Sequence, residues 1–198
     1  MKQMVLATHN HHKAEEFRSL LRDLNVEILT LDQFPNVGEI DEDGATIEEN
    51  ALKKAREVFR HTRLPSLADD TGLEVHYLNM VPGVYSSRYA GPNATYADNR
   101  KQLLTELTGV PPRRRTARFR CVLAFVAPED VEETVEGTCS GVITENPRGQ
   151  HGFGYDPIFL PIGYDKTFGE MDAETKNTIS HRAVAAQNIK GVLNEYFG

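Results

Sequence analysis

The stretch Leu67-Ala68-Asp69-Asp70-Thr71-Gly72-Leu73-Glu74-Val75 constrains this chain more than any other. An apolar pair runs into two consecutive carboxylates. A Thr-Gly pair follows, and a second apolar run closes the stretch. It reads as a strand that ends in carboxylates and breaks at the glycine. Such a strand carries negative charge to the end of a sheet, where ligands of open α/β sheets tend to sit. Successive side chains of a strand point to opposite faces. If the extended conformation reaches Asp70, one carboxylate faces a site and the other serves the structure. The competing reading makes both aspartates turn-formers ahead of Gly72.

The flanking elements give the fold class. Residues 4–7 read as a short buried strand, and Thr8-His9-Asn10-His11-His12-Lys13 as the polar turn after it. Phe17, Leu20, Leu21 and Leu24 then recur at helical spacing. The turn therefore hands a strand over to a helix N-terminus. Free N–H groups and the positive dipole end make that an anion site, although capping by Thr8 or Asn10 accounts for the same residues. His9, His11 and His12 fit no standard zinc spacing. Residues 26–31 form a second short strand, and residues 32–44 a loop with the acidic turn Asp41-Glu42-Asp43-Gly44. Residues 47–59 are helical, with Lys53 on the solvent side and Lys54 at the edge of the buried stripe. From that edge a lysine can run its stem over the core and aim its amine at a neighbouring site.

Beyond the opening stretch, residues 81–96 read as a long ordered loop and residues 98–107 as a helix. Arg113, Arg114, Arg115, Arg118 and Arg120 make a local basic segment. Residues 116–127 and 132–143 form two long strands around a Pro128-Glu129-Asp130 turn, an antiparallel hairpin. Gly149-Gln150-His151-Gly152-Phe153-Gly154-Tyr155-Asp156-Pro157 packs glycines around aromatics, and Phe153 or Tyr155 can stack on a planar ring. Residues 158–160 form a short strand. Ser180 is a good N-cap for a last helix that runs to about Phe197. His181 and Arg182 then lie in its first turn, where cations oppose the helix dipole. An anionic ligand accounts for them. The order of elements predicts an α/β fold with a mixed, partly antiparallel central sheet. The long hairpin and short helices are expected to build a second lobe, with a cleft between lobes.

Charge and length bound the function. The chain has 198 residues, enough for one domain with two lobes that buries roughly 70% of its unfolded surface. Lys and Arg number 22 against 29 Asp and Glu, a net charge of −7. That balance argues against general nucleic-acid or anionic-membrane binding. A small anion remains suitable, because local cations or a metal can serve it. The opening residues hold too short an apolar run for a signal peptide. No stretch approaches the roughly 18 apolar residues of a membrane span. Cys121 and Cys139 lack metal-ligand spacing and read as free thiols of a reducing compartment. A disulfide between them across the hairpin is geometrically possible, but that setting disfavours it. The expected location is the cytoplasm.

Taken together, Thr8, Asn10, Lys13, Lys54, Lys176, His181 and Arg182 suit a polyphosphate. Glu42 and Asp70 suit a divalent metal, and residues 153–156 suit a flat ring. Hard oxygen ligands with phosphates favour Mg²⁺. These are the parts for metal-assisted water attack on a nucleotide phosphate.

Five blocks then carry a resemblance. They are Thr8-x-Asn10-x-x-Lys13-x-x-Glu16, Glu49-Asn50-Ala51-x-x-Lys54-Ala55, Ala68-Asp69-Asp70-Thr71-Gly72-Leu73, Phe153-Gly154-Tyr155-Asp156-Pro157 and Ser180-His181-Arg182. In order and over nearly the whole chain, they resemble the inosine triphosphate pyrophosphatase family. The resemblance implies a single two-lobed domain over residues 1–198, with the active site in the cleft, and a homodimer. It implies Mg²⁺-dependent hydrolysis of ITP, dITP and XTP to the monophosphate and pyrophosphate. It places the catalytic base at Asp70, which also binds metal together with Glu42. Asp41 stays open as the alternative to Glu42. It puts phosphate contacts at Thr8, His9, Asn10, His11, His12, Lys13, Lys54 and Lys176. It puts Phe153, Gly154, Tyr155, Asp156, His181 and Arg182 around the base and sugar. Thr71 stands where many members have Ser, and keeps the hydroxyl as a substrate contact.

Overall fold

A computed structural model describes residues 2–198; Met1, the start of the short apolar opening, lies outside the described residues. The elements run β1 (Lys2–Leu6), α1 (His11–Leu20), β2 (Val26–Thr30), α2 (Ile47–Thr62), β3 (Ser66–Val75), β4 (Val81–Gly83), α3 (Tyr96–Glu106), β5 (Thr116–Ala127), β6 (Val131–Ile143), β7 (Phe159–Pro161), α4 (Ala173–Ile179) and α5 (His181–Phe197). The strands form one sheet in the order β2-β1-β3-β5-β6-β7, with β4 on β3. β1 pairs in parallel with both β2 and β3. β3 with β4 and β6 with β7 are antiparallel. The mixed α/β sheet is thus the one expected.

Parallel neighbours need long crossovers, and the first two helices supply them. α1 starts where Asn10 caps it by accepting the Lys13 N–H at 3.3 Å. The helix therefore begins inside the stretch read as a turn, at His11. α2 starts where Thr46 accepts the Glu49 N–H at 3.1 Å, and it ends at Arg63 in the left-handed region. Its buried stripe is Ile47, Asn50, Ala51, Lys54, Ala55 and Val58, so two polar residues lie among the apolar ones.

The chain divides into two compact units. The first holds the residues up to Asp70, Cys121–Gly137 and Arg182–Gly198; the second holds Thr71–Arg120 and Thr138–His181. The core of the first includes Met4, Leu6, Phe17, Leu67, Leu123, Phe125, Ile189 and Leu193. Burying each such large side chain is worth about 1.5–3 kcal/mol. α5 contributes Ala185, Ile189 and Leu193, one helical turn apart. The core of the second includes Leu73, Val75, Leu103, Phe119, Phe159 and Phe168. The hairpin does not make a lobe by itself, because β5 and β6 each give residues to both units.

β3 corrects the reading of the opening stretch. There is no break at Thr71-Gly72: the strand runs unbroken for ten residues and is buried along nearly all of its length. Gly72 is not among the glycines with positive φ. The strand continues because β1 pairs with its start and β4 with its end, Leu73 opposite Gly83 and Val75 opposite Val81. Tertiary pairing overrides a local turn signal here. Other differences are local. The loop over residues 81–96 contains β4, and α3 begins at Tyr96 rather than Asp98. α4 escapes the sequence reading because seven residues are too few to show a period. Neither cysteine is in a disulfide, and both are buried. Arg115 leaves the basic surface altogether. It is 3% exposed and donates to the carbonyls of Leu107, Ile143 and Thr144, each at 2.8 Å.

Candidate active site

In the first unit, the alternation of β3 sends the two aspartates to different partners. Asp69 Oδ2 lies 2.8 Å from Lys13 Nζ and 3.9 Å from Arg182 Nη2. Arg182 also donates to Glu16. Asp70 Oδ1 instead accepts from Lys54 Nζ at 3.1 Å, and the same Nζ donates to Glu42 Oε1 at 2.6 Å. The expected divergence of the two carboxylates is seen in their partners, Lys13 and Arg182 for Asp69 and Lys54 for Asp70.

Electrostatics separate the aspartates further. Burial alone pushes the Asp69 carboxyl up, but Lys13, Arg182 and Lys54 outweigh it and hold it down at about 2. Asp70 goes the other way. Burial and the neighbouring Glu42 charge raise its pKa in spite of Lys54 and Lys13. Glu42 is also partly buried, yet Lys54 and Lys13 keep it below the usual carboxylate range. Burial disfavours the Lys54 ammonium, but Asp70, Asp69 and Glu42 together raise its pKa. Of Glu42, Asp69 and Asp70, Asp70 is the one whose pKa is raised.

Asn50 ties the cluster together. Its Oδ1 accepts the Gly44 N–H at 2.8 Å, which fastens the acidic turn. Its Nδ2 makes a long 3.5 Å contact to Asp70 Oδ2. The sequence reading gives Asn50 and Glu16 no role, although both lie in the matching blocks. For Asn50 the signal is spacing: it stands one turn before Lys54 on the same buried stripe.

The other residues of the first unit are placed as follows. Thr8 Oγ1 accepts the Asn10 N–H at 3.1 Å, so Thr8 and Asn10 shape the entry to α1. His9, His11 and His12 are exposed. Among the described residues, no group of three or more His, Cys, Asp or Glu could hold a metal ion. Glu42 and Asp70 nonetheless fit Mg²⁺, because their hard oxygens converge on one Nζ. Mg²⁺ commonly takes one or two carboxylates and completes its shell with water and phosphate.

In the second unit, Asp156 is the organiser. Its Oδ2 accepts Lys176 Nζ at 2.7 Å and the Phe153 N–H at 2.9 Å. A Cβ on Gly152 would meet that oxygen at 2.0 Å, so only glycine fits beside it. Asp156 and Lys176 are both buried. Lys176 Nζ sits 5.1 Å from the centre of the Phe153 ring, within cation–π range. Phe153 is half-buried beside Tyr96, with ring centres 6.0 Å apart. Tyr155 is buried, and its hydroxyl donates to the Ser86 carbonyl at 2.9 Å. Of the two aromatics offered for stacking, Phe153 is therefore the more accessible one. Arg100 holds the Gly154 carbonyl at 2.6 Å. Thr71 is half-buried.

His181 and Arg182 part company. His181, in the second unit, stacks on Phe119 with ring centres 4.5 Å apart at 18°. Arg182, in the first, meets Glu16 and Asp69. The protein thus supplies anions of its own to the arginine that opposes the dipole of α5.

The family model described as Ham1 family matches residues 4–192. A dITP/XTP pyrophosphatase of Desulforamulus reducens is 44% identical over 98% of this chain and 97% of its own. One from Bacillus subtilis is 44% identical over 98% of each chain. The solved structure of a HAM1 protein from Coxiella burnetii superposes with a TM-score of 0.89 at 43% identity, over 98% of this chain and 100% of that one. With the carboxylate pair, the α1 entry and the glycine-aromatic loop all inside the matched span, the chain belongs to the Ham1 family.

Proposed function

We propose that this chain hydrolyses the non-standard purine nucleotides ITP, dITP and XTP to the monophosphate and pyrophosphate, and so cleanses the nucleotide pool. One observation supports the chemistry: the buried carboxylate of Asp70 and the partly buried one of Glu42 converge on a single cation, with the pKa of Asp70 raised. The substrate class follows from the names of the relatives, dITP/XTP pyrophosphatases.

Charge explains why a metal belongs in the reading. Lys13, Lys54 and Arg182 face Glu16, Glu42, Asp69 and Asp70. Three cations already meet four carboxylates, so the cluster has no positive charge to spare for a triphosphate. Glu42 and Asp70 would hold a divalent cation, whose charge would make up the deficit, and their hard oxygens suit Mg²⁺. The α1 entry from Thr8 to Lys13, together with Lys54, takes the phosphates. Asp70 orients a water and accepts its proton as the oxygen attacks the α-phosphorus. The bond from that phosphorus to the bridging oxygen breaks, and pyrophosphate leaves against the lysines. Asp69 and Arg182 act as positioning groups. Asp69 fixes Lys13, and Arg182 fixes Asp69 through its own tie to Glu16.

The base falls to the second unit. Phe153 offers the stacking face, while Asp156 and Lys176 fix the loop that carries it. Lys176, expected among the phosphate contacts, is grouped with the base-side residues because it pairs with Asp156. Thr71, Gly154, Tyr155 and His181 complete that set. A homodimer in the cytoplasm completes the reading. Buried cysteines outside any disulfide accord with that location, and no helix among the described residues is long and apolar enough to cross a membrane.

The test is product identification with Mg²⁺ and a panel of ITP, XTP, dITP, ATP and GTP. Monophosphate and pyrophosphate from ITP, XTP and dITP support the reading. Orthophosphate release points to a different phosphohydrolase, and no product points to a nucleotide-binding sensor.

A further inference from the structure

Lys54 is held by the very oxygens that a metal needs. Its Nζ lies 2.6 Å from Glu42 Oε1 and 3.1 Å from Asp70 Oδ1. An ammonium and a divalent cation draw on the same carboxylate charge and repel each other at this range, so each weakens the other's hold on the pair. The carboxylates do not owe their positions to Lys54 alone. Asn50 contacts the other oxygen of Asp70 and ties down the Gly44 end of the turn that carries Glu42. The stem of Lys54 is buried in the stripe of α2, and its side chain is 9% exposed. The amine is therefore delivered to the pair by the helix and has little solvent to compete for it.

We propose that Lys54 is a tethered counter-ion that occupies the Glu42–Asp70 pair, so that a divalent cation loads only by displacing the ammonium. This rests on the metal assignment given above. The displaced ammonium needs an anion, and the phosphates of an arriving nucleotide supply one. Metal and nucleotide then load cooperatively, and metal alone loads weakly. The device keeps the carboxylates neutralised between turnovers and links metal loading to the presence of substrate.

The size of the effect follows from population. When a competent state is only fractionally populated, apparent affinity falls by that fraction. If the ammonium leaves the pair open about one time in ten, the cost is about tenfold. Mn²⁺ alone, without nucleotide, is the probe, titrated into the full chain and followed by the electron paramagnetic resonance of the free ion. Lys54→Met and Lys54→Gln should each bind Mn²⁺ about tenfold more tightly than the wild type, with circular dichroism confirming that they fold. Met keeps the apolar stem and Gln keeps a polar end, so either variant alone suffices for the comparison. Affinities equal to or weaker than wild type in both overturn the proposal. Glu42→Gln and Asp70→Asn separate it from the reading beneath. If they weaken Mn²⁺ binding while the Lys54 variants leave it unchanged, the metal assignment stands and the counter-ion role falls. If they leave Mn²⁺ binding untouched, the metal lies elsewhere and both fail.

Discussion

Asp69→Asn is the perturbation that most sharply separates the two adjacent carboxylates. The Asp69 side chain is 0% exposed and lies 2.8 Å from Lys13 Nζ. Replacing it leaves the half-buried Lys13 and the buried Arg182 without that charge. Removing one partner from a buried ionic set costs about 3–5 kcal/mol. An independent figure comes from the pKa, lowered from 3.8 to about 2. At about 1.36 kcal/mol per unit, that is roughly 2–3 kcal/mol in favour of the ionised form. A loss of about 3 kcal/mol near neutral pH agrees with both. The pH dependence has a definite sign. A carboxylate with a lowered folded pKa stabilises fully above its unfolded value, and that contribution is lost as pH falls through the folded value. The gap between wild type and variant should therefore narrow from about pH 5 downward, toward about pH 2. Urea unfolding followed by circular dichroism, in chelator and at stepped pH, measures it. A neutral-pH gap below about 1 kcal/mol, or one that stays constant on acidification, would refute the assignment of Asp69 as the ionised anchor of Lys13 and Arg182.

Asp70→Asn should leave the urea midpoint near that of the wild type and lower kcat by about a hundred- to ten-thousandfold, the range of a lost general base; a variant with half of wild-type activity contradicts the role. Phe153→Ala should raise KM for ITP through the loss of about 1–3 kcal/mol of base stacking, while thermal melting stays close to wild type; an unchanged KM removes Phe153 from the base site. Arg115→Met should cost about 3 kcal/mol or more in urea unfolding, because three buried carbonyls lose a charged donor together; a neutral effect means that those hydrogen bonds do not hold α3 and the hairpin. Burial pushes the Cys139 thiol up to about 11, so alkylation by iodoacetamide in the native protein should rise only as pH approaches that value; rapid labelling near neutral pH would show a thiolate where a buried thiol is expected.

The sheet and the positions of its long strands were legible because periodicity survives burial: residues 116–127 are found as β5 with both ends unchanged. Lys54 was legible in the same way, since the 3.6-residue period of α2 brings its stem to the stripe. What failed was local chemistry read without neighbours. Thr71-Gly72 carries a turn signature, yet pairing with β1 at the start of β3 and with β4 at its end holds it extended. Arg182 looked like a cation awaiting a ligand, because its protein partner Glu16 is 166 positions away in sequence. Asp156 looked like a base contact from its place beside Phe153 and Tyr155. Its bond to Lys176 joins the glycine-aromatic loop to α4 within the second unit, and no spacing rule links them. Charged residues were therefore easier to find than their partners. A pattern along the chain shows which face a side chain occupies, but not which distant charge meets it there.

In the proposed hydrolysis, water activated at Asp70 attacks the α-phosphorus. Hydrolysis of ITP with Mg²⁺ in water enriched in the heavy oxygen isotope, with the label located by phosphorus NMR and mass spectrometry, tests this step. One labelled oxygen in the inosine monophosphate and none in the pyrophosphate is the expected result. Label in the pyrophosphate would move the attack to the β-phosphorus, and labelled orthophosphate would move it to the γ-phosphorus; either result rules out attack at the α-phosphorus.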